Sequence, residues 1–240
     1  MMQLVLLGPP GAGKGTQAKL IEQHFGLVHM STGDALRRIQ ADPSHPLADA
    51  LRQILRTGQL VPDDVVMQVV RDRLREPNRG NGYVLDGFPR TVPQAEMLES
   101  LLHGTGQRLT GVVSLTVATE TLVQRLSTRW SCPQCGMVYQ RQTQAQPNTC
   151  TKDNQSLIRR SDDDPNAVRR RLRVFARQTA PLESFYAQRG QLYRVDAQGI
   201  VQEVWQRVQQ QLNRLSEQPR LHLRQGIGKK EAVREKRPLD

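Results

Sequence analysis

Gly8-Pro9-Pro10-Gly11-Ala12-Gly13-Lys14-Gly15-Thr16 stands between a short apolar run, Gln3-Leu4-Val5-Leu6-Leu7, and the stretch Gln17-Ala18-Lys19-Leu20-Ile21-Glu22-Gln23-His24-Phe25. The apolar residues of the second stretch recur at helical spacing until Gly26 stops it. This order predicts strand, glycine loop, helix. Glycines permit backbone angles that turn successive amides inward, and a helix N-terminus adds partial positive charge. Lys14 adds a full charge, so the loop is built to hold a phosphate rather than only to reverse the chain. Its candidate contacts are Gly11, Ala12, Gly13, Lys14, Gly15 and Thr16. The strict pattern places Ser or Thr directly after the lysine, whereas here Gly15 intervenes before Thr16. Magnesium accompanying the phosphates is therefore expected to be held more by water and phosphate than by that hydroxyl.

A chain of 240 residues can bury one α/β core and carry an insertion. Its formal charge of +11 and pI near 10.3 suggest anionic partners, among which nucleic acid, membrane surface and small phosphates all qualify. No apolar run approaches transmembrane length, and the opening run is too short and lacks a basic leader, so a cytoplasmic location is expected. Three cysteines clustered in one region argue for a metal or thiol site rather than a disulfide framework.

Along the chain, Leu27-Val28-His29-Met30 predicts a second strand leading into Ser31-Thr32-Gly33-Asp34, where Ser31 or Thr32 can cap a helix. Thr32, Asp34 and Arg37 then fall at the carboxyl edge of a parallel sheet, where open α/β folds bind ligands. Two short helical stretches follow, ended by Gly58, and a helix capped by Asp63 or Asp64 runs to about Arg75. Gly82-Tyr83-Val84-Leu85-Asp86 is the next strand, and it delivers Asp86 into Gly87-Phe88-Pro89-Arg90. A carboxylate there sits where phosphate-loop enzymes organise magnesium. Gly111 to Val117 is a further strand, and a helix from about Thr119 to Arg129 is expected to carry Arg125 and Arg129 on one face. Asp164-Pro165 starts a helix bearing Arg171, which Pro181 should kink or restart. Leu192 to Asp196 is the last strand, and Ile200 to Leu215 the closing helix. The segment from Glu217 to Asp240 has little apolar periodicity and is expected to be disordered.

Cys132-Pro133-Gln134-Cys135 is followed, after fourteen residues, by Cys150-Thr151-Lys152-Asp153. Two knuckles of this spacing bring three thiolates and one carboxylate to a single tetrahedral ion, which suits structural zinc. The five histidines lie at 24, 29, 45, 103 and 222, outside the segment, which leaves Asp153 as the natural fourth ligand. A dithiol redox site at Cys132 and Cys135 would leave Cys150 and Asp153 without a task.

GPPGAGKGT, STGDALR, LDGFPRTVPQA, DDDPNAVRRRL and QTAPL, in this order and spacing, resemble the motifs of adenylate kinases, and the likeness covers residues 2 to about 213. It implies the nucleoside monophosphate kinase fold: an α/β core with a five-stranded parallel sheet flanked by helices and a lid insertion. The implied division is core 1–30, monophosphate-binding domain 31–61, core 62–123, lid 124–162, core 163–216 and tail 217–240. The cysteine segment is similar to the lid of the long, zinc-bearing members. By resemblance, Thr32, Gly33, Arg37, Leu60, Val61, Gly87, Arg90, Gln94, Arg160 and Arg171 receive AMP. The glycine loop with Arg125, Arg129 and Gly199 receives ATP. Lys14, Arg90, Arg125, Arg129, Arg160 and Arg171 are the implied catalytic residues, and Asp34 and Asp86 order water around Mg²⁺.

An acceptor monophosphate is already anionic, so transfer needs alignment and charge neutralisation rather than a base. Asp162 and Asp163 are expected near the hinge of a lid that folds over ATP. The implied partners are ATP, AMP and ADP, with no membrane or nucleic acid, acting on a monomer. Two other readings stay open: a UMP/CMP or other nucleoside monophosphate kinase, and a basic zinc-ribbon protein that binds nucleic acid and uses the loop as a nucleotide switch. Thr32 and Gln94 favour adenine, and the second reading gives LDGFPRT no role.

Overall fold

The computed structural model describes residues 1–76, 81–141 and 148–231, without the side chains of residues 161 and 218–231. Strands β1 (Met2–Leu7), β2 (Val28–Ser31), β3 (Gly82–Asp86), β4 (Gly111–Thr116) and, late in the chain, β7 (Leu192–Asp196) form one sheet in the order β2-β3-β1-β4-β7. Every pairing in it is parallel. The pleat sends alternate residues of β1 to opposite faces. Val5 and Leu7 pack with Tyr83, Leu85, Phe88 and Leu98 on one side, while Leu4 and Leu6 pack with Ile21, Val113, Leu115 and Trp205 on the other. A strand buried on both faces must be apolar throughout, which is why the opening run is continuous rather than alternating.

Helices α1 (Lys14–Phe25), α2 (Thr32–Ala41), α3 (Ala48–Thr57), α4 (Asp63–Arg75), α5 (Val92–Gly104) and α6 (Thr119–Ser127) connect the strands. A small antiparallel hairpin, β5 (Arg129–Ser131) with β6 (Val138–Gln140), rises from the sheet edge. After a 3-10 turn at Ser161–Asp163 come α7 (Pro165–Val174), a π-turn (Phe175–Thr179), α8 (Pro181–Gln188), β7 and α9 (Val201–Glu231). Asp164 caps α7 by accepting from the Asn166 amide, with Pro165 at its first position, as the sequence predicts.

Three expectations change. Helix α6 stops at Ser127, because the Thr128 hydroxyl and amide both donate to the Gln124 carbonyl and close the turn. Arg129 therefore opens a strand and does not share a helical face with Arg125. Pro62, not Asp63 or Asp64, precedes α4, and the Asp63 carboxylate instead accepts from Gln94 at 2.6 Å. Helix α9 was expected to end at Leu215, but its backbone is helical to Glu231, through the first part of the segment expected to be disordered. Residues 232–240 of that segment, and 142–147 of the expected lid, lie outside the described residues.

Candidate active site

The loop after β1 turns on three left-handed glycines, Gly8, Gly11 and Gly13, so that its amides face inward above the start of α1. Lys14 Nζ folds back onto the Gly8 and Pro9 carbonyls at 2.8 and 3.1 Å. Burial lowers its pKa to about 8, with Arg90, Arg171 and Arg129 acting in the same direction against Asp86. The loop is thus a crowded cationic cradle that an anion relieves.

Asp86 ends β3 beside this loop: a Cβ placed on Gly15 would lie 3.3 Å from its Oδ2. Burial opposes its ionisation, but His29 and Lys14 outweigh burial and hold its pKa below the usual carboxylate range. The imidazole of His29 comes from β2, where the register Ser31↔Asp86 puts His29 on the same sheet face. Its Nε2 lies 3.5 Å from Asp86 Oδ2. Asp34, in the first turn of α2, is likewise held ionised against burial by Arg37, with Arg160 adding to it.

Next to Asp34 and Arg37 opens a cleft of about 580 Å³. Of the ten residues expected to receive AMP, nine line it: Thr32, Gly33, Arg37, Leu60, Val61, Gly87, Arg90, Gln94 and Arg171. The tenth, Arg160, reaches from the lid side toward Asp34, with Nη2 at 4.0 Å from Oδ1. Gly87 is a position only glycine fills, since its φ is +83° and a Cβ would meet Thr32 Oγ1 at 2.9 Å. Arg90 donates from Nε to the Gly87 carbonyl at 2.8 Å, and its amide donates to Gln94 Oε1 at 2.7 Å. Burial, then repulsion from Arg171, lowers the Arg90 pKa to about 10. A second cavity of about 510 Å³ shares Gly58, Leu60, Gly87, Arg90 and Arg171 with the first and extends to Gly8, Pro10 and Lys14. The cradle and the cleft thus share a wall.

Carboxylates from the 3-10 turn hold the arginines together. Asp163, with a fully buried side chain, accepts a fork from Arg129, with Nε at 2.7 Å and Nη2 closer still. Arg171 Nη1 reaches the same carboxylate at 3.2 Å and Asp162 Oδ2 at 3.0 Å. Arg37 lies 2.6 Å from Asp34 Oδ1 and 4.0 Å from Asp162 Oδ2. Burial would raise the Asp162 pKa, but Arg171 and Arg37 bring it to about 2. Arg125 stands outside this network, donating to the Ala197 and Gly199 carbonyls at 3.0 and 3.1 Å. Gly199 itself is exposed, with φ +98°.

Above the loop, the β5–β6 hairpin and the following turns hold the cysteines. Cys132, Cys135, Cys150 and Asp153 present ligand atoms within 4.8 Å of one another. The Cys135 and Cys150 sulfurs are 3.6 Å apart, and Cys132 Sγ is 3.2 Å from both Asp153 oxygens. A tetrahedral zinc with bonds of about 2.3 Å spaces its thiolates about 3.8 Å apart, so the donor set fits that ion. Burial pushes the Cys135 thiol up to about 12, with hydrogen bonds to Asp153, Cys150 and Cys132 adding to it. Tyr139 Oη donates to Cys150 Sγ at 3.2 Å and accepts from the Thr151 amide at 2.9 Å, which orients that ligand.

Sequence reasoning assigned no contact to His29 or Lys19 and gave Asp162 and Asp163 only a place near the hinge. The acidic run before Pro165 was the visible signal for the last two. For His29 the signal was its place two residues before Ser31, legible only once the β2–β3 register is known.

The family model described as adenylate kinase matches residues 6–191. An adenylate kinase of Kosmotoga olearia is 42% identical over 216 residues, covering 89% of this chain and all of that one. An adenylate kinase of Moorella thermoacetica is 45% identical over 197 residues, covering 81% and 90% of the two chains. One from Archaeoglobus fulgidus is 38% identical over 216 residues, covering 89% and 99%. Loop, cleft and cysteine hairpin thus lie in a sequence related over nearly its whole folded length to these enzymes, and the chain belongs to the adenylate kinase family, phosphotransferases that interconvert ATP plus AMP with two ADP.

Proposed function

We propose that this adenylate kinase passes the γ-phosphoryl group of ATP in line to AMP with no general base, the loop from Gly8 to Thr16 holding the donor and the Thr32–Arg90–Gln94 cleft the acceptor. The observation that carries the reading is the wall common to the two cavities, with Arg90 and Arg171 lining both and Lys14 lining the second. An AMP phosphate held by Arg90 and Arg37 would face the loop directly. Like charges must then approach, and Lys14, Arg129, Arg160 and Arg171 neutralise them. Arg125, which donates to the Ala197 and Gly199 carbonyls, is assigned with Gly199 to the donor nucleotide in this reading. Leu60 and Val61 form the apolar wall for the acceptor base, and Gln94, fixed by Asp63, presents its amide edge to it.

Asp34 and Asp86 are both held ionised near the loop, and so fit the task of ordering water around Mg²⁺; the ion supplies charge neutralisation of the bridging phosphates. Cys132, Cys135, Cys150 and Asp153 would hold Zn²⁺, which staples a lid with little apolar content of its own. In this reading residues 31–61, which carry α2 and α3, form a monophosphate-binding domain, and 124–162, which carry the β5–β6 hairpin, form a lid. A cytoplasmic monomer is the matching context; among the described residues no helix is long and apolar enough to cross a membrane. An acceptor panel tests base choice: with ATP and Mg²⁺, AMP should give diphosphate at least about 100-fold faster, as kcat/KM, than GMP, CMP or UMP, the discrimination that a few well-placed polar contacts supply. Equal use of UMP or CMP would sink the adenine assignment.

A further inference from the structure

The π-turn between α7 and α8 has no task in the reading above. Pro181 has no amide to donate to the Arg177 carbonyl, and its ring crowds that group, so the helix cannot continue as α. Ala180 donates instead to the Phe175 carbonyl at 2.8 Å, taking one extra residue into the turn. Such insertions recur at functional sites.

The extra residue sets a phase. Thr179 is eight residues beyond Arg171, and at about 100° per residue an unbroken α-helix would turn it about 80° away from the arginine. With one residue absorbed, Thr179 takes the place of the seventh, within about 20° of the same face. Both residues accordingly line the cavity that runs to Lys14. Thr179 is buried, and its Oγ1 donates to the Arg90 carbonyl at 2.8 Å. The Arg90 amide is already bound to Gln94 and its Nε to Gly87, so this bond fixes the last backbone group of that residue. The Nη groups of Arg90 make no ion pair among the described residues and face the cleft.

We propose that Thr179 is a positioning residue for the acceptor phosphate: its hydroxyl ties the Arg90 backbone to the helix that carries Arg171, and so sets the spacing of the two guanidiniums flanking the path of transfer. This rests on the reading that Arg90 receives the acceptor phosphate. Proline and π-turn supply the rotation, and the hydroxyl supplies the tie.

The test is steady-state kinetics of Thr179→Val, Thr179→Ser and Arg90→Ala, with AMP and ATP varied separately. Thr179→Val keeps the shape and leaves the carbonyl without its donor. It should raise KM for AMP about ten-fold, the scale of one buried hydrogen bond, and leave KM for ATP within about two-fold. Thr179→Ser should restore the parent value, and Thr179→Val should add nothing in an Arg90→Ala background. If Thr179→Val does not fold, Thr179→Ala carries the same expectation. An Arg90→Ala variant with unchanged KM for AMP would overturn the acceptor assignment itself. Where Arg90→Ala raises that KM but Thr179→Val does not, or raises both KM values alike, the positioning role is overturned and the acceptor assignment stands.

Discussion

Lys19 Nζ donates to the carbonyl of Cys135 at 3.0 Å, so the first cysteine knuckle rests on the helix that leaves the phosphate loop. The next residue, Gly136, sits against α2, where an added Cβ would be 3.6 Å from Asp34 Oδ2. The cysteine hairpin thus touches α1 and α2 at once.

Replacing Lys19 by Met removes this contact without touching the cradle. KM for ATP should rise about 3–5-fold, the effect of a partly exposed charged contact, while the melting temperature moves by less than about 2 °C. Varying ATP at saturating AMP measures the first, and a thermal melt the second; an unchanged KM would remove Lys19 from lid closure.

Arg90→Ala should raise KM for AMP about 100-fold, as loss of charge-assisted bonds to a phosphate does. ATP binding, followed by titration calorimetry, should stay within about two-fold. A loss shared equally by both nucleotides would mean that Arg90 supports the fold and not the acceptor.

Cys150→Ser deletes one thiolate from the cluster. It should lower the melting temperature by about 5–10 °C and lower bound zinc, while turnover at low temperature persists, because four protein ligands leave the ion no open position for chemistry. Melts alongside metal analysis decide this; a variant that keeps its stability after chelation would leave the cluster without a structural role.

Lys14→Met should abolish turnover yet stabilise the ligand-free protein. The folded pKa of Lys14, about 8, lies below its ordinary 10.5, so burying the charged form costs stability in full below pH 8. That cost fades as pH rises from about 8 toward 10.5, because the unfolded chain then binds more protons than the folded one. The variant should therefore melt higher at pH 7, by about 2–4 °C for each kcal/mol regained, with the gain shrinking by pH 10. Melts at the two pH values without nucleotide read this directly, and a variant that melts lower at pH 7 would contradict it.

Much of the fold was legible because its signals are local. The apolar runs at Leu4–Leu7 and Gly82–Leu85 announce strands buried on both faces, and Asp164-Pro165 announces a helix start. The end of α6 was missed because Thr128 closes the turn through a bond to Gln124, in a stretch whose residue types all tolerate helix. That residues as far apart as Thr32, Arg90 and Arg171 share a cleft was legible through motifs, but the counter-ions inside it were not. That Asp163 takes both Arg129 and Arg171 depends on a turn that brings residues 34 positions apart within hydrogen-bonding reach. His29 facing Asp86 depends in the same way on strand register. The π-turn was half legible: Pro181 marks a break, but which residue the break rotates inward follows only from the coordinates.

Asp34, Asp162 and Asp163 pair with Arg37, Arg129 and Arg171, so that each of these cations has a carboxylate within the protein. A phosphate that reached these three arginines would therefore exchange one anion for another instead of meeting unpaired positive charge.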